Sequence, residues 1–196
     1  MFTGIVAHKG TVVDVVDEAG VRRLTVEAGL LADLTVGDSI AVNGVCLTAV
    51  AVQDSRIDVE VVRETLSRSN LGAVQPGDPV NLERPMSAQG RFDGHIVQGH
   101  VDGVGTVSQV VSDGDDRRLT IRVPTGLARF VVEKGSITVD GVSLTVTGVG
   151  SAQFEVALIP HTLEVTTLGL RKEGDPVNLE VDIIAKYVER LLGAGS

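Results

Sequence analysis

The heptapeptide GDPVNLE occurs twice in the chain, at residues 77–83 and 174–180, and it closes a series of five blocks that recur in the same order. GTVVDVV at residue 10 returns as GTVSQVV at 105, and RRLTV at 22 as RRLTI at 117, both 95 residues on. SIAVNGVCLT at 39 returns as SITVDGVSLT at 136, and TLSRSNLG at 65 as TLEVTTLG at 162, both 97 residues on like the heptapeptide. Across the blocks 27 of 37 aligned positions are identical, so low complexity does not explain the match and the chain is a tandem duplication. A unit of about 90 residues is too long for a solenoid repeat, and each copy is expected to close on its own core.

The residue types say what kind of core. Valine supplies 35 of the 196 residues, in short runs punctuated by Gly, Asp and Asn. That pattern reads as β-strand broken by tight turns. About six short strands per copy fit a small antiparallel barrel, whose closure removes exposed strand edges. The expected organisation is a first barrel with its linker over residues 1–94, a second barrel over 95–183 and a C-terminal helix over 184–196. The linker is RPMSAQGRFDG at 84–94, which has no clean periodicity. Ile184, Tyr187, Val188 and Leu191 recur at helical spacing, and their apolar stripe has two readings, packing on its own barrel or contacting another subunit.

Composition removes several functions. There are 26 acidic against 17 basic residues, a net charge of -9 and only five aromatic side chains, which leaves neither the charge nor the stacking surface for DNA or RNA. No apolar run approaches a membrane span, and MFTG is not the start of a signal peptide, so the expectation is a soluble chain of the cytoplasm without membrane contact. Cys46 is the one cysteine and the four histidines are scattered, so no metal site and no cofactor is expected. GxGxxG and P-loop patterns are absent, and GVSLT lacks the second glycine of a nucleophile elbow.

The informative positions are those where matched blocks differ. Cys46 faces Ser143, Asn43 faces Asp140, and Gly4-Ile5-Val6 aligns with Gly99-His100-Val101. A site drawn from both copies meets the same backbone twice with different polar groups, which suits two similar molecules in unequal roles. Each residue also has an ordinary reading. Cys46 reads as a small buried hydrophobe, Ser143 and Thr145 as strand hydroxyls, and Asn43-Gly44 and Asp140-Gly141 as hairpin turns. His8, His95 and His161 carry no spacing that favours function.

MFTGIV, the pair NGVCLT and DGVSLT, GHIVQGHVDG, ETLSRSNLG with HTLEVTTLG, and the repeated GDPVNLE together resemble the riboflavin synthase family over the whole chain. The resemblance implies an all-β fold of two tandem six-stranded antiparallel Greek-key barrels plus a C-terminal α-helix, assembled as a homotrimer. It implies dismutation of two molecules of 6,7-dimethyl-8-ribityllumazine to riboflavin and 5-amino-6-(D-ribitylamino)uracil by four-carbon transfer, between the first barrel of one subunit and the second of its neighbour. Carried over, the ligand contacts of the first barrel fall on Gly4, Ile5, Val6, Cys46, Leu47, Thr48 and a strand of Glu60, Val61, Val62, Arg63, Glu64 and Thr65. Those of the second fall on Gly99, His100, Val101, Lys134, Ser143, Leu144, Thr145 and a strand of Ala157, Leu158, Ile159, Pro160, His161 and Thr162. His100, with Ser143 and Thr145 nearby, is expected either to move the substrate's 7-methyl proton or to orient the water or hydroxyl that does so. Cys46 and Ser143 are the alternative nucleophiles or polarisers, Phe2 supplies an aromatic surface, and Asp182 a charge at the subunit boundary. Lumazine synthase is the protein partner the resemblance raises. The competing readings are a lumazine- or flavin-binding antenna protein of the same fold and a purely structural barrel pair. Val42 and Val45 beside Cys46 depart from relatives with polar or thiol residues there, a change expected to act on packing.

Overall fold

Alternate residues of the valine-rich segments point to opposite faces of a strand, and burial follows that period. From Val45 to Val50 the side chains of Val45, Leu47 and Ala49 are buried, while Thr48 and Val50 are exposed and Cys46 lies between the two extremes. The structure, a computed structural model, describes residues 1–29 and 33–193. The first copy contributes β1 (His8–Glu18), β2 (Val21–Glu27), β3 (Ser39–Val42), β4 (Val45–Gln53), β5 (Arg56–Val62) and β6 (Pro79–Glu83), which close in the order β1-β2-β5-β4-β3-β6. The second contributes β7 (Gly103–Asp113), β8 (Asp116–Arg122), β9 (Ser136–Val139), β10 (Val142–Val149), β11 (Gln153–Leu158) and β12 (Pro176–Val181), closing as β7-β8-β11-β10-β9-β12. Short helices α1 (Arg63–Arg68) and α2 (Pro160–Val165) follow β5 and β11. The register shifts at matched places in the two copies, between Val12 and Asp14, Ala49 and Ala51, Val107 and Gln109, and Val146 and Gly148. Such bulges bend the wall enough for six strands to close.

Each barrel has its own apolar core, with Leu24, Ile40, Ile57, Leu71 and Leu82 in the first and Leu119, Ile121, Ile137, Phe154 and Leu158 in the second. Val42 and Val45 belong to the first core, as expected for packing positions. A third, small cluster joins Phe2, Ala41 and Val97, with Cys46 packed against it. Residues 84–102 contain no named strand, but they are not a free tether: Phe2 and Val97 form an isolated bridge.

The barrels meet through their β3-β4 and β9-β10 turns. Asn43 and Gly44 have φ of 46° and 78°, and Asp140 and Gly141 47° and 79°, the left-handed pair a two-residue hairpin requires. A Cβ added to Gly44 would stand 2.6 Å from the Gly141 nitrogen, so the two turns approach closer than any side chain allows. Around them the asparagines of the repeated heptapeptide form a pseudo-symmetric lattice. The Asn81 side chain donates to the Asp140 carbonyl and that of Asn178 to the Asn43 carbonyl, both at 2.9 Å, while Asn81 Oδ1 accepts from Thr167 N and Asn178 Oδ1 from Asn70 N. The lattice breaks symmetry around the Asp140 carboxyl, which also accepts from the Asn70 amide, where the second copy has Thr167. Asp140 is fully buried and pairs with Arg171 at 2.7 Å, where the first copy has Asn43 and Val74. Burial pushes the Asp140 carboxyl up, and Arg171 opposes that shift.

Helix α3 (Ile183–Gly193) follows β12, and the last three residues of the expected segment 184–196 lie outside the described residues. Tyr187, Leu191 and Leu192 are 66%, 76% and 77% exposed, so the apolar stripe is not packed on its own barrel. Polar pairs tie down the other side: Lys186 to Asp102 at 2.6 Å and Arg129 to Glu189 at 3.2 Å. No described helix is long and apolar enough to cross a membrane.

Candidate functional site

In both barrels the pairing of the fourth strand with the fifth stops short. The β4-β5 ladder ends at Ala49 opposite Val59, and the β10-β11 ladder at Val146 opposite Val156. Beyond that point Cys46 and Ser143 would have a free backbone N–H on the side the neighbouring strand has left, and a buried amide needs a partner. Each finds it in the other half of the chain. Cys46 N donates to the Gly99 carbonyl at 2.9 Å, and Ser143 N to the Gly4 carbonyl at 2.8 Å. Val101 then packs on the first core and Val6 on the second. The chain thus exchanges its two opening segments: residues 4–6 complete the second barrel and residues 99–101 complete the first.

This exchange corrects the grouping expected from sequence. Gly4, Ile5 and Val6 lie with Ser143, not with Cys46, and Gly99, His100 and Val101 lie with Cys46, not with Ser143. The expectation of His100 beside Ser143 and Thr145 does not hold within one chain. Alignment by offset pairs each segment with the barrel it precedes, and offset carries no information about crossing. Gly4 and Gly99 both have φ of 77°, and an added Cβ on either would fall 2.6 Å from the Cβ of Ser143 or Cys46. Glycine is required at both for conformation and for space.

The crossing segments are clamped by the last residue of the repeated heptapeptide. Glu83 accepts from Thr3 N at 2.7 Å, the Thr3 hydroxyl at 2.9 Å and Gly4 N at 3.0 Å. Glu180 accepts from Gln98 N at 2.8 Å and from Gly99 N and His100 N, both at 3.0 Å. Both carboxyls are buried, and desolvation pushes them up while the N–H donors hold them down. The heptapeptide is therefore repeated unchanged because each polar member has a task. Asp78 and Asp175 accept from Gln75 N and Lys172 N in the preceding turns, Asn81 and Asn178 join the barrels, and Glu83 and Glu180 hold the crossing segments.

Two rims result, related by the pseudo-twofold of the barrels. The first carries Cys46 and Thr48 from β4, residues 99–101, and the end of β5; the second carries Ser143 and Thr145 from β10, residues 4–6, and the end of β11. Thr48, Thr145, Ile5 and His100 are exposed, whereas Leu47 and Leu144 turn inward to the cores and offer a ligand only backbone. The expected strands through Glu60–Thr65 and Ala157–Thr162 are shorter than the sequence suggested. Glu60, Val61 and Val62 end β5, but Arg63, Glu64 and Thr65 form the first turn of α1; Ala157 and Leu158 end β11, and Pro160, His161 and Thr162 begin α2. Proline suits that first turn, where no N–H is needed. Val62 and Ile159 stand at the matched corners, 53% and 58% exposed. Lys134 is exposed at φ 65°, donating its N–H to Val146, in the place Gly37 takes at φ 96° against Ala49. A lysine in that conformation costs about 1–2 kcal/mol relative to right-handed backbone.

One other expectation is corrected, that for Phe2. Phe2 is 0% exposed, so its ring gives no aromatic surface; it is the apolar pin that holds the crossing of both segments against Val97. Asp182, expected as a charge at the subunit boundary, caps the start of α3 within the chain, accepting from Ile184 N at 2.9 Å, and its carboxylate opposes the effect of burial on His95. His95 is the residue sequence reasoning passed over: its Nδ1 lies 2.7 Å from the Ser143 hydroxyl. Glu83 and Glu180 were legible in the unchanged repeat, but only as repeat.

A family model described as lumazine binding domain matches residues 3–85 and again 98–182. Curated relatives named riboflavin synthase include those of Mycobacterium tuberculosis, 52% identical with 98% of each chain covered, Actinobacillus pleuropneumoniae, 44% identical, and Bacillus subtilis, 40% identical, the last two covering 98% of this chain and 90% of their own. Among solved structures, LumP complexed with 6,7-dimethyl-8-(1'-D-ribityl) lumazine superimposes with a TM-score of 0.84 at 22% identity, covering 92% of this chain and 99% of that one. LumP complexed with riboflavin does so at 0.86 and 24%. These two carry the fold.

Proposed function

The chain belongs to the riboflavin synthase family, and from that premise we propose that it catalyses the dismutation of two 6,7-dimethyl-8-ribityllumazine molecules. One molecule gives up a four-carbon unit and leaves as 5-amino-6-(D-ribitylamino)uracil; the other receives it and becomes riboflavin. The observation that supports this reading best is the pair of rims, each built by the same exchange of segments and each carrying a different polar group, Cys46 or Ser143. A reaction between two copies of one substrate needs two similar seats that treat their occupants unequally.

Each rim seats one lumazine between an outward strand face and the first turn of a short helix. The ribityl chain meets backbone and hydroxyls there, with Thr48 and Thr145 exposed at matched positions. As the family resemblance implies, the reacting pair forms between the first barrel of one subunit and the second of a neighbour. Holding two rings in register supplies part of the barrier reduction; well-oriented intramolecular reactions reach about 7–11 kcal/mol. His100 at the first rim and Ser143 at the second are the groups placed to handle the 7-methyl proton. A homotrimer joined through the exposed stripe of α3, and a cytoplasmic location, complete the reading. Lumazine synthase, which would supply the substrate, is the partner enzyme it raises.

Incubation of the purified protein with 6,7-dimethyl-8-ribityllumazine at two protein concentrations tests this. Riboflavin should appear at one per two lumazines consumed, with specific activity falling as dilution separates the subunits. Binding of the lumazine without riboflavin would replace the reading with a chromophore-binding protein.

A further inference from the structure

One difference between the two rims lies at the hydroxyl of Ser143. Its Oγ lies 2.7 Å from His95 Nδ1, whereas no histidine is hydrogen-bonded to Cys46 among the described residues. The contact is held by backbone on both sides. His95 N donates to the Thr3 carbonyl at 3.2 Å, Phe2 N to the Val97 carbonyl at 2.8 Å, and Ser143 N to the Gly4 carbonyl at 2.8 Å. Linker residues 95–97 thus run along residues 2–3, and these lead directly into the segment that completes the Ser143 rim. Burial holds the His95 imidazole below its ordinary range, with Asp182 opposing. A neutral ring has one acceptor and one donor nitrogen, enough to fix a serine rotor that otherwise turns freely.

We propose that His95 is a positioning residue for the reaction: it holds the Ser143 hydroxyl in one orientation toward the lumazine seated on the second rim. The first rim has a thiol at the matched place and, among the described residues, no histidine bonded to it, so the two lumazines meet a fixed hydroxyl on one side and a thiol without that support on the other. Unequal roles for identical substrates follow from that difference. The inference rests on the lumazine reading above, but its geometric half stands without it.

The test compares His95→Ala, His95→Asn, Ser143→Ala and the His95→Ala/Ser143→Ala pair, with kcat and KM for riboflavin formation and thermal melts of each. His95→Ala should lower kcat about tenfold with KM changed less than about twofold, an effect on a step rather than on binding. Asparagine places an amide where Nδ1 stands, and His95→Asn should recover most of the loss. In the Ser143→Ala background His95→Ala should cost nothing further, because residues acting as a unit are not additive. Full turnover in His95→Ala, or an equal loss in the presence and absence of the Ser143 hydroxyl, would overturn the proposal. Absence of riboflavin from the unmodified protein would instead remove the lumazine reading. A crystal structure of His95→Ala then decides the geometry alone: an unmoved, singly oriented Ser143 hydroxyl refutes the role, and a rotated or multiply oriented one supports it.

Discussion

The rim at Cys46 and the rim at Ser143 have the same backbone and different chemistry. Both use a glycine at φ 77° whose carbonyl takes up the free N–H of the fourth strand, and both anchor that glycine's N–H to a buried glutamate. Among the described residues the second adds a histidine hydrogen-bonded to its strand hydroxyl, while the first carries the exposed His100, and the second barrel's turn adds a buried ion pair, Asp140 with Arg171. The lesson is that the duplication preserved the glycines, glutamates and asparagines that build the seats and varied both a group facing their occupants, Cys46 against Ser143, and a group in the seam, Asn43 against Asp140. Identity between copies marks scaffold here, and difference falls at both seat and seam.

Making the halves alike, or unlike, tests that comparison. The largest effect is expected at the seam. Arg171→Val alone leaves the buried Asp140 carboxylate without its charge partner and should cost about 3–5 kcal/mol in urea unfolding. Asp140→Asn with Arg171→Val reproduces the first copy's Asn43 and Val74 and should return stability to within about 1–2 kcal/mol of the parent, since a buried pair replaced by neutral groups is often tolerated. If both variants lose the same amount, the pair is not what the seam depends on.

Next comes Gly99→Ala, which drives a Cβ to within 2.6 Å of Cys46 and should destabilise by about 1–3 kcal/mol as an overpacking change. Its sharper readout is binding. Titration with the lumazine should show one seat lost and the Ser143 seat kept, with Gly4→Ala giving the mirror result. Loss of both seats from either variant would show that the rims are not independent.

A smaller effect is expected for Cys46→Ser, which gives the first rim the second's hydroxyl without its histidine. Cys46 packs against the Phe2 cluster, so stability should fall by about 1 kcal/mol, and turnover should change less than in Ser143→Ala. Turnover more sensitive at Cys46 than at Ser143 would reverse the assignment of roles.

The smallest is a pH dependence. Burial lowers the His95 pKa from its ordinary value of 6.5, so the unfolded chain takes up the proton before the folded one does. The stability contributed by a neutral His95 is complete above about 6.5 and is lost as pH falls from there toward the lower folded pKa. His95→Asn does not titrate. The melting temperature of the parent minus that of His95→Asn should therefore shrink between about pH 7.5 and 5.5. Glu83, Glu180 and Asp140 titrate in both proteins and cancel from the difference. A pH-independent gap would place His95 outside the buried environment described.

The barrels were legible because the signals for them are local. Period-two valines, the turns Asn43-Gly44 and Asp140-Gly141, and the helical stripe of α3 each read true from a few neighbouring residues. The ends of the fifth strands read less well: past Val59 and Val156 they have lost the fourth strands and run on against β2 and β8 alone, to Val62 and Leu158, before Arg63 and Pro160 begin helices, a fact about partner strands. Phe2 was misread for a similar reason. As one of five aromatic side chains it read as a surface for the substrate, yet Val97, 95 residues away, covers it.

By itself the sequence determined that there are two copies, that each closes as a β-barrel, and that Cys46 and Ser143 occupy the same place in them. Those properties follow from side-chain period and from repetition, which need no knowledge of what lies across space. Tertiary structure alone decided that the opening segments trade barrels, that Glu83 and Glu180 clamp them, and that His95 meets Ser143. Each depends on a backbone N–H or a hydroxyl finding its partner far along the chain, and a hydrogen bond records no trace of itself in residue spacing.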